Sequence, residues 1–192
     1  PVDEAFRKTV DTLKQGRQPT FGFLGVQPDH LSAAQRRSGQ FGARVLRVVP
    51  GTPADRAGVK QDDIITHVNG VKVVDKNILF RELSKVPAET TVQLRIERRD
   101  PLRSRRRPTT VAVTLSKKYI DSDRRPFASV PDPTWRGIRV EYPSALPPEF
   151  NIQTPVTGNR QGYVAVLDVE RDSSAWKAGL RRGHFISHVG NK

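Results

Sequence analysis

The 192-residue chain contains no cysteine and no methionine. Without thiols, disulfide staples and thiolate metal sites are excluded, and the redox compartment stays open. The absence of methionine, position 1 included, makes a processed chain or a fragment the expectation. No run approaches the roughly 18 apolar residues that a bilayer-spanning helix needs, and no signal-peptide core opens the chain, so no membrane span is expected. No serine sits in a Gly-x-Ser-x-Gly or Gly-Asn-Ser-Gly-Gly context. No Ser–His–Asp triad can therefore be nominated, and the chain is not expected to hydrolyse peptides by itself. Of His30, His67, His184 and His188, only the last two have a spacing that suggests a metal. The internal repeat described below places both on a strand, farther apart than on a helix, and no metal or cofactor is expected.

What is present is positive charge: 33 Lys and Arg against 20 Asp and Glu, a net +13. That balance favours nucleic acid, an acidic membrane surface or acidic protein without choosing among them. The densest run lies in the loop DPLRSRRRP, where Arg103, Arg105, Arg106 and Arg107 follow Arg98 and Arg99. At a hairpin tip these arginines could touch phosphates. No aromatic residue interleaves with them to stack bases, which makes nucleic acid an unlikely partner. The length allows one large or two small domains, and two is the reading adopted.

Taken in order, Val2 to Gln15 carries one apolar stripe at helical spacing, with Asp3 and Glu4 in the first turn and Lys14 in the last. Gln18-Pro19-Thr20 breaks that helix and leads into FGFLGV, Phe21 to Val26. Gly22 and Gly25 let the backbone turn its N–H groups into a concavity suited to a carboxylate. A strand from Gly25 to Gln27 with an open edge would let an extended peptide pair there. Ser32 to Gln35 reads as a helical turn and Ala43 to Val49 as a half-buried strand. Thr52 stands as N-cap before Pro53, and Gly58 as the stop of a short helix. Ile64 to Val68 is a strand, Asn69-Gly70 a hairpin turn, and Asp75 the cap of a helix to about Val86. That helix carries Leu79, Leu83 and Val86 on its core stripe and Phe80 to one side. Thr91 to Arg98 and Thr109 to Leu115 alternate as strands. Residues 119–133 read as a linker, and Gly162 to Val169 as a further strand. The result is mainly β with short helices.

The chain repeats itself. SSAWKAGLRRGHFISHVGNK, from Ser173, aligns without a gap with TPADRAGVKQDDIITHVNGV, from Thr52, matching Ala54, Ala57, Gly58, Ile65, His67 and Val68 with Ala175, Ala178, Gly179, Ile186, His188 and Val189. Two copies of one module are present, the second stopping before the long helix and final strands of the first. Upstream, WRGIRV set beneath FGFLGV puts Arg139 at the position of Gly25, and so argues against a ligand loop in the second copy.

These residues resemble the PDZ domains of HtrA-type (Deg) serine proteases: FLGV at Phe23 to Val26, PGTPADRAGVKQDDIITHVNG at Pro50 to Gly70, and the helix and strands to Leu115. Residues 1–18 resemble the last helix of the trypsin-like domain in that family. The resemblance implies a partly open β-barrel or sandwich in two copies: a first PDZ domain at 19–118, the linker, and a truncated second at 134–192. It implies that the N–H groups of Leu24, Gly25 and Val26 hold a ligand carboxylate, while Leu24, Val26, Phe80 and Leu83 line the pocket for its last side chain. Phe80 and Leu83 also fit a plain core role. The implied function is capture of C-terminal or unfolded polypeptide segments for an adjoining protease domain, in an extracytoplasmic, periplasmic setting, with any homo-oligomer formed through that domain. A basic adaptor for nucleic acid or an anionic surface, and a scaffold PDZ of a non-protease protein, remain the alternatives. Asp62 stands where the family usually has glycine, a position that tolerates Asp in left-handed backbone.

Overall fold

The computed structural model describes residues 4–100, 106–118, 134–146, 150 and 163–190. The chain divides into two compact units, Thr20–Lys117, and Pro1–Pro19 with Lys118–Lys192. The expected linker at 119–133, Arg103 and Arg105 lie outside the described residues.

In the first unit, strands β1 (Gly22–Phe23) and β2 (Val26–Asp29) precede the short helix α2 (Ala33–Arg37) and strand β3 (Ala43–Val48). Helix α1 (Glu4–Lys14) belongs to the other unit. There follow α3 (Pro53–Arg56), β4 (Ile64–Val68), β5 (Val71–Lys72), α4 (Lys76–Ser84), β6 (Thr91–Arg99), β7 (Arg106–Thr114) and β8 (Ser116–Lys117). The large sheet runs β2-β3-β4-β6-β7, with β5 paired to β4, and β1 pairs separately with β8. The core follows from alternation: β6 sends Val92, Leu94 and Ile96 inward and leaves Thr91, Gln93 and Arg95 outside. These meet Val45, Ile65, Val113 and Leu115 from the strands and Leu79 and Leu83 from α4.

Local chemistry sets the element ends. Asp75 accepts from the N–H groups of Asn77 and Ile78 and starts α4, as its sequence position predicts. Asn69 and Gly70 take φ of 48° and 80° and turn β4 into β5. Ser32 and Gln35 form a reciprocal capping box on α2. Thr52 is a correction. It occupies the N-cap of α3 but makes no side-chain cap there. Its hydroxyl instead lies 2.6 Å from Val49 O and 3.3 Å from Gly25 O, tying the glycine loop to the turn after β3. The arginine run is also less of a loop than expected, because Arg98 and Arg99 belong to β6 and Arg106 and Arg107 to β7.

In the other unit, α1 is amphipathic and leaves Phe6 and Leu13 largely exposed. Strands β9 (Ile138–Glu141), β10 (Val164–Val169) and β11 (Phe185–Ile186) form a sheet in the order β11-β10-β9, with α5 (Ser174–Lys177) between β10 and β11. The repeat is visible bond by bond. Val59 donates to Ala54 O as Leu180 does to Ala175 O, and Val45 to Asp63 O as Val166 does to His184 O. Asp62, at φ 66°, corresponds to Gly183, at φ 88°, so the left-handed turn is kept while the residue type changes. His184 and His188 flank β11 rather than lying on it, because the strand is only two residues long.

Candidate functional site

The glycine loop is fixed from one side. Leu24 O accepts from Ala54 N–H and Gly25 O from Val49 N–H, both at 2.9 Å. Gly25 has φ 87°, and a Cβ there would fall on the Thr52 side chain, so only glycine fits. With both carbonyls turned inward, the N–H groups across the same peptide planes, those of Gly25 and Val26, are left on the other side. Among the described residues none accepts a hydrogen bond from Leu24 N–H or Gly25 N–H. Both residues are buried. A recessed N–H with no acceptor among the described residues is a donor whose hydrogen bond remains to be made.

Beside the loop runs a free strand edge. β2 ends the large sheet, pairing only with β3 among the described strands. It spans Val26–Asp29 instead of the expected Gly25 to Gln27, because Gly25 uses its left-handed φ to turn into the strand. Val26 is in register with Val48, and the Val49 N–H to Gly25 O bond flanks that pair. In an antiparallel ladder this makes Val26/Val48 the non-hydrogen-bonded kind, so Val26 N–H and C=O point to the open edge. Gly25 and Val26 thus turn consecutive donors to this side, and Leu24 N–H has no acceptor among the described residues.

The opposite wall is α4. Lys76, Phe80 and Leu83 fall on one stripe of this helix. At one end Leu83 joins the apolar cluster that contains Leu24 and, at its margin, Val26. At the other end Lys76 Nζ lies 3.7 Å from Asp29 Oδ1 on β2. The Asp29 carboxyl is held below the ordinary range, first by the His30 N–H, against a partial desolvation, and then by Lys76. Phe80 sits between these ends at 53% exposure. The core alternative therefore holds for Leu83 and not for Phe80, whose ring is left on the surface. Lys76 and Asp29 escaped the sequence reading, since nothing local marks two residues so far apart in the chain as partners.

Of the described arginines in the basic run, Arg98, Arg106 and Arg107 have partners within the chain. Arg98 forks onto both oxygens of Asp63, Arg107 pairs with Asp100 at 3.1 Å, and Arg106 donates to the carbonyls of Asp62 and Glu97. Among the described residues no cluster of three or more His, Asp or Glu could hold a metal ion, and no helix is long and apolar enough to cross a membrane.

Residues 22–113 match the family described as PDZ domain. The first unit is a PDZ domain. Over 95% of its length the chain also resembles DegP-like, HtrA-type serine endoproteases. It is 32% identical over 187 residues to a probable periplasmic serine endoprotease of Chlamydia pneumoniae, covering 35% of that protein. It is 29% identical over 187 residues to the counterpart in Chlamydia muridarum, covering 34%. The chain thus spans about a third of the length of these relatives. Among solved structures, the HtrA3 PDZ domain bound to a phage-derived ligand aligns with 22% identity and a TM-score of 0.40, over 51% of this chain and 88% of that one. PDZ domains are mainly β with few short helices and an open sheet, as found here.

The second module departs from the PDZ site in a way that corrects the sequence alignment. The counterpart of Gly25 is Gly137, with Arg139 two positions too far along. Gly137 has φ 77°, and a Cβ there would fall on Ser173, the match of Thr52. Its carbonyl accepts from Glu170 N–H as that of Gly25 does from Val49. The gapless setting of WRGIRV beneath FGFLGV is therefore two residues out of register: in both copies the strand begins on the residue after the loop glycine, Val26 after Gly25 and Ile138 after Gly137.

Proposed function

We propose that the PDZ domain at Thr20–Lys117 is a receptor for the C-terminal ends of polypeptides, with the carboxylate on the N–H groups of Leu24, Gly25 and Val26. The last side chain lies over Leu24, Val26 and Leu83 beneath Phe80. The observation that carries this reading is the pair of unpartnered, recessed amides at Leu24 and Gly25 beside the open edge of β2. Burying one apolar side chain contributes about 1.5 to 3 kcal/mol, and each backbone hydrogen bond about 1 kcal/mol. Binding is therefore weak, roughly micromolar to sub-millimolar, which suits a site that samples many partly unfolded chains.

In this reading the chain is the substrate-recognition and regulatory region of an extracytoplasmic serine endopeptidase, non-catalytic in itself. The periplasmic setting and the protease activity come from the relatives' names. An adjoining protease domain is the natural cover for the apolar face of α1, where Phe6 and Leu13 are exposed, and any homo-oligomer would form through that domain. No described feature favours a basic adaptor or an unrelated scaffold, given that Arg98 and Arg107 already have carboxylate partners. The test is fluorescence anisotropy with peptides ending in valine. Phe80→Arg should reduce affinity at least tenfold, as should amidation of the peptide carboxylate. Unchanged affinity in both would overturn the reading.

A further inference from the structure

The open edge of β2 has a defect one step beyond the loop. Outward positions alternate along a strand, so after Val26 the next residue facing the free edge is Pro28. Proline has no N–H, so the second donor that an added strand would use is missing. The register shift between Gln27 and Pro28 lies in the pairing with β3, where two residues of β3 stand against one of β2, and does not alter the alternation along β2 itself. One residue farther, Asp29 is met by Lys76 from the first turn of α4. These two side chains bridge the two walls of the groove.

We propose that this groove reads only the carboxylate and the last two or three residues of its ligand, and that the ligand's upstream chain leaves the strand edge at Pro28. This rests on the peptide-receptor reading above. The first ladder contact, from the last residue's N–H to Val26 O, is intact. The next pair of contacts, with residue 28, retains an acceptor and no donor. Of the two features Pro28 is decisive. An ion pair with side chains as exposed as those of Lys76 and Asp29 is weak and yields to a competitor, whereas the missing N–H cannot be supplied by rearrangement. The ligand class that follows is short and little restricted upstream: any chain with a free, apolar C-terminal residue, whatever precedes the last three positions.

The experiment is a length series of N-acetylated peptides of three, four and six residues, alanine and glycine ending in valine, each as free acid and as amide. The full 192-residue chain is used, with Kd from calorimetry. The expected result is carboxylate-dependent binding whose Kd changes by less than about threefold across the series. Pro28→Ala should tighten the six-residue peptide by about three- to tenfold, the range set by one restored hydrogen bond. The double variant P28A/K76S should bind six residues more tightly than three, and thermal unfolding establishes that both variants are folded. Carboxylate-dependent binding that strengthens tenfold or more with length in the unaltered chain would overturn this inference and leave the receptor reading standing. Equal binding of acids and amides, or none, would overturn both.

Discussion

Arg98 holds Asp63 by both arms of its guanidinium, Nε to Oδ1 at 2.9 Å and Nη2 to Oδ2 at 2.7 Å, and Nη2 also donates to Gly58 O at 2.7 Å. The carboxylate is only 2% exposed and accepts a further bond from Lys60 N–H. One side chain of β6 thereby locks the turn that leads from α3 into β4, the turn through Asp62. The pairing raises the Arg98 pKa above its ordinary value, with the Asp63 hydrogen bonds as the main cause.

Arg98→Ala is expected to lower stability by about 3 kcal/mol, because it leaves a buried carboxylate without its counter-charge. Arg98→Lys should recover only part, since an ammonium cannot reproduce the two parallel bonds. Urea unfolding of the chain followed by tryptophan-independent circular dichroism checks this. A loss below about 1 kcal/mol for the alanine variant would show that the pair is not the lock described.

Gly25→Ala tests the loop. The left-handed backbone costs a non-glycine residue roughly 1 to 2 kcal/mol, and the added methyl meets Thr52 as well. A stability loss of at least about 2 kcal/mol is expected, and with it a loss of peptide affinity in the folded fraction. Thr52→Ala should not rescue Gly25→Ala, because the Thr52 Cβ that alanine keeps stands in the path of the added methyl as much as the hydroxyl does.

The elements were legible because their signals are local. Asp75, Asn69-Gly70 and the alternation of Val92, Leu94 and Ile96 each fix backbone or burial within a few residues. The loop was legible through Gly25, whose need for positive φ shows in the residue type itself. What could not be read depends on contacts distant in sequence: Thr52 turned from capping to tying down Gly25, Arg98 moved from a phosphate-seeking run into a pair with Asp63, and Lys76 met Asp29. Phe80 was undecided between core and rim, because helical spacing gives its azimuth and not the height of the neighbouring wall.

Glu82 on α4 predicts an acid limb of stability. Its side chain is only 8% exposed and is bonded to Lys85 Nζ at 3.0 Å and Arg81 Nε at 3.1 Å. Desolvation pushes its pKa up, but the bonds to Lys85 and Arg81 outweigh that and leave it lowered. A lowered folded-state pKa means that the contribution is fully present above the unfolded value, about 4.3 for glutamate, and is lost as pH falls through the folded value. Between pH 5 and pH 3 the midpoint of thermal unfolding should fall less steeply in Glu82→Gln than in the unaltered chain. Parallel curves would remove Glu82 from the acid limb.

The repeat offers a natural experiment at Asp62. The second module places Gly183 in the same left-handed turn that Asp62 adopts at φ 66°. Asp62→Gly relieves backbone strain of roughly 1 kcal/mol, offset in part by the greater freedom of glycine in the unfolded chain. The Arg44 pair at 3.9 Å is too exposed to contribute much. The expected change is between zero and about +1 kcal/mol, against a clear loss for Asp62→Val, in which a β-branched residue is forced to positive φ. Equal effects of the two substitutions in a thermal scan would contradict the strain argument.

Carboxylate-dependent binding should be confined to the first module, although both copies keep the loop glycine. In the second, Trp135 and Ile138 exchange hydrogen bonds, Trp135 N–H to Ile138 O at 3.1 Å and Ile138 N–H to Trp135 O at 3.0 Å. Ile138 matches Val26, so the donor that faces a ligand in the first module is already taken by the loop's own backbone. Arg136 replaces Leu24 and adopts φ 54°, with its guanidinium over the Trp135 ring. The loop has folded back on its own strand edge, and an added strand would first have to break both bonds. Calorimetric titration with a valine-terminated peptide should therefore give one site per chain. Gly25→Ala should remove it, and Gly137→Ala should leave it unchanged. A second carboxylate-dependent site that survives the first substitution and is lost with the other would show that the closed loop opens for ligands.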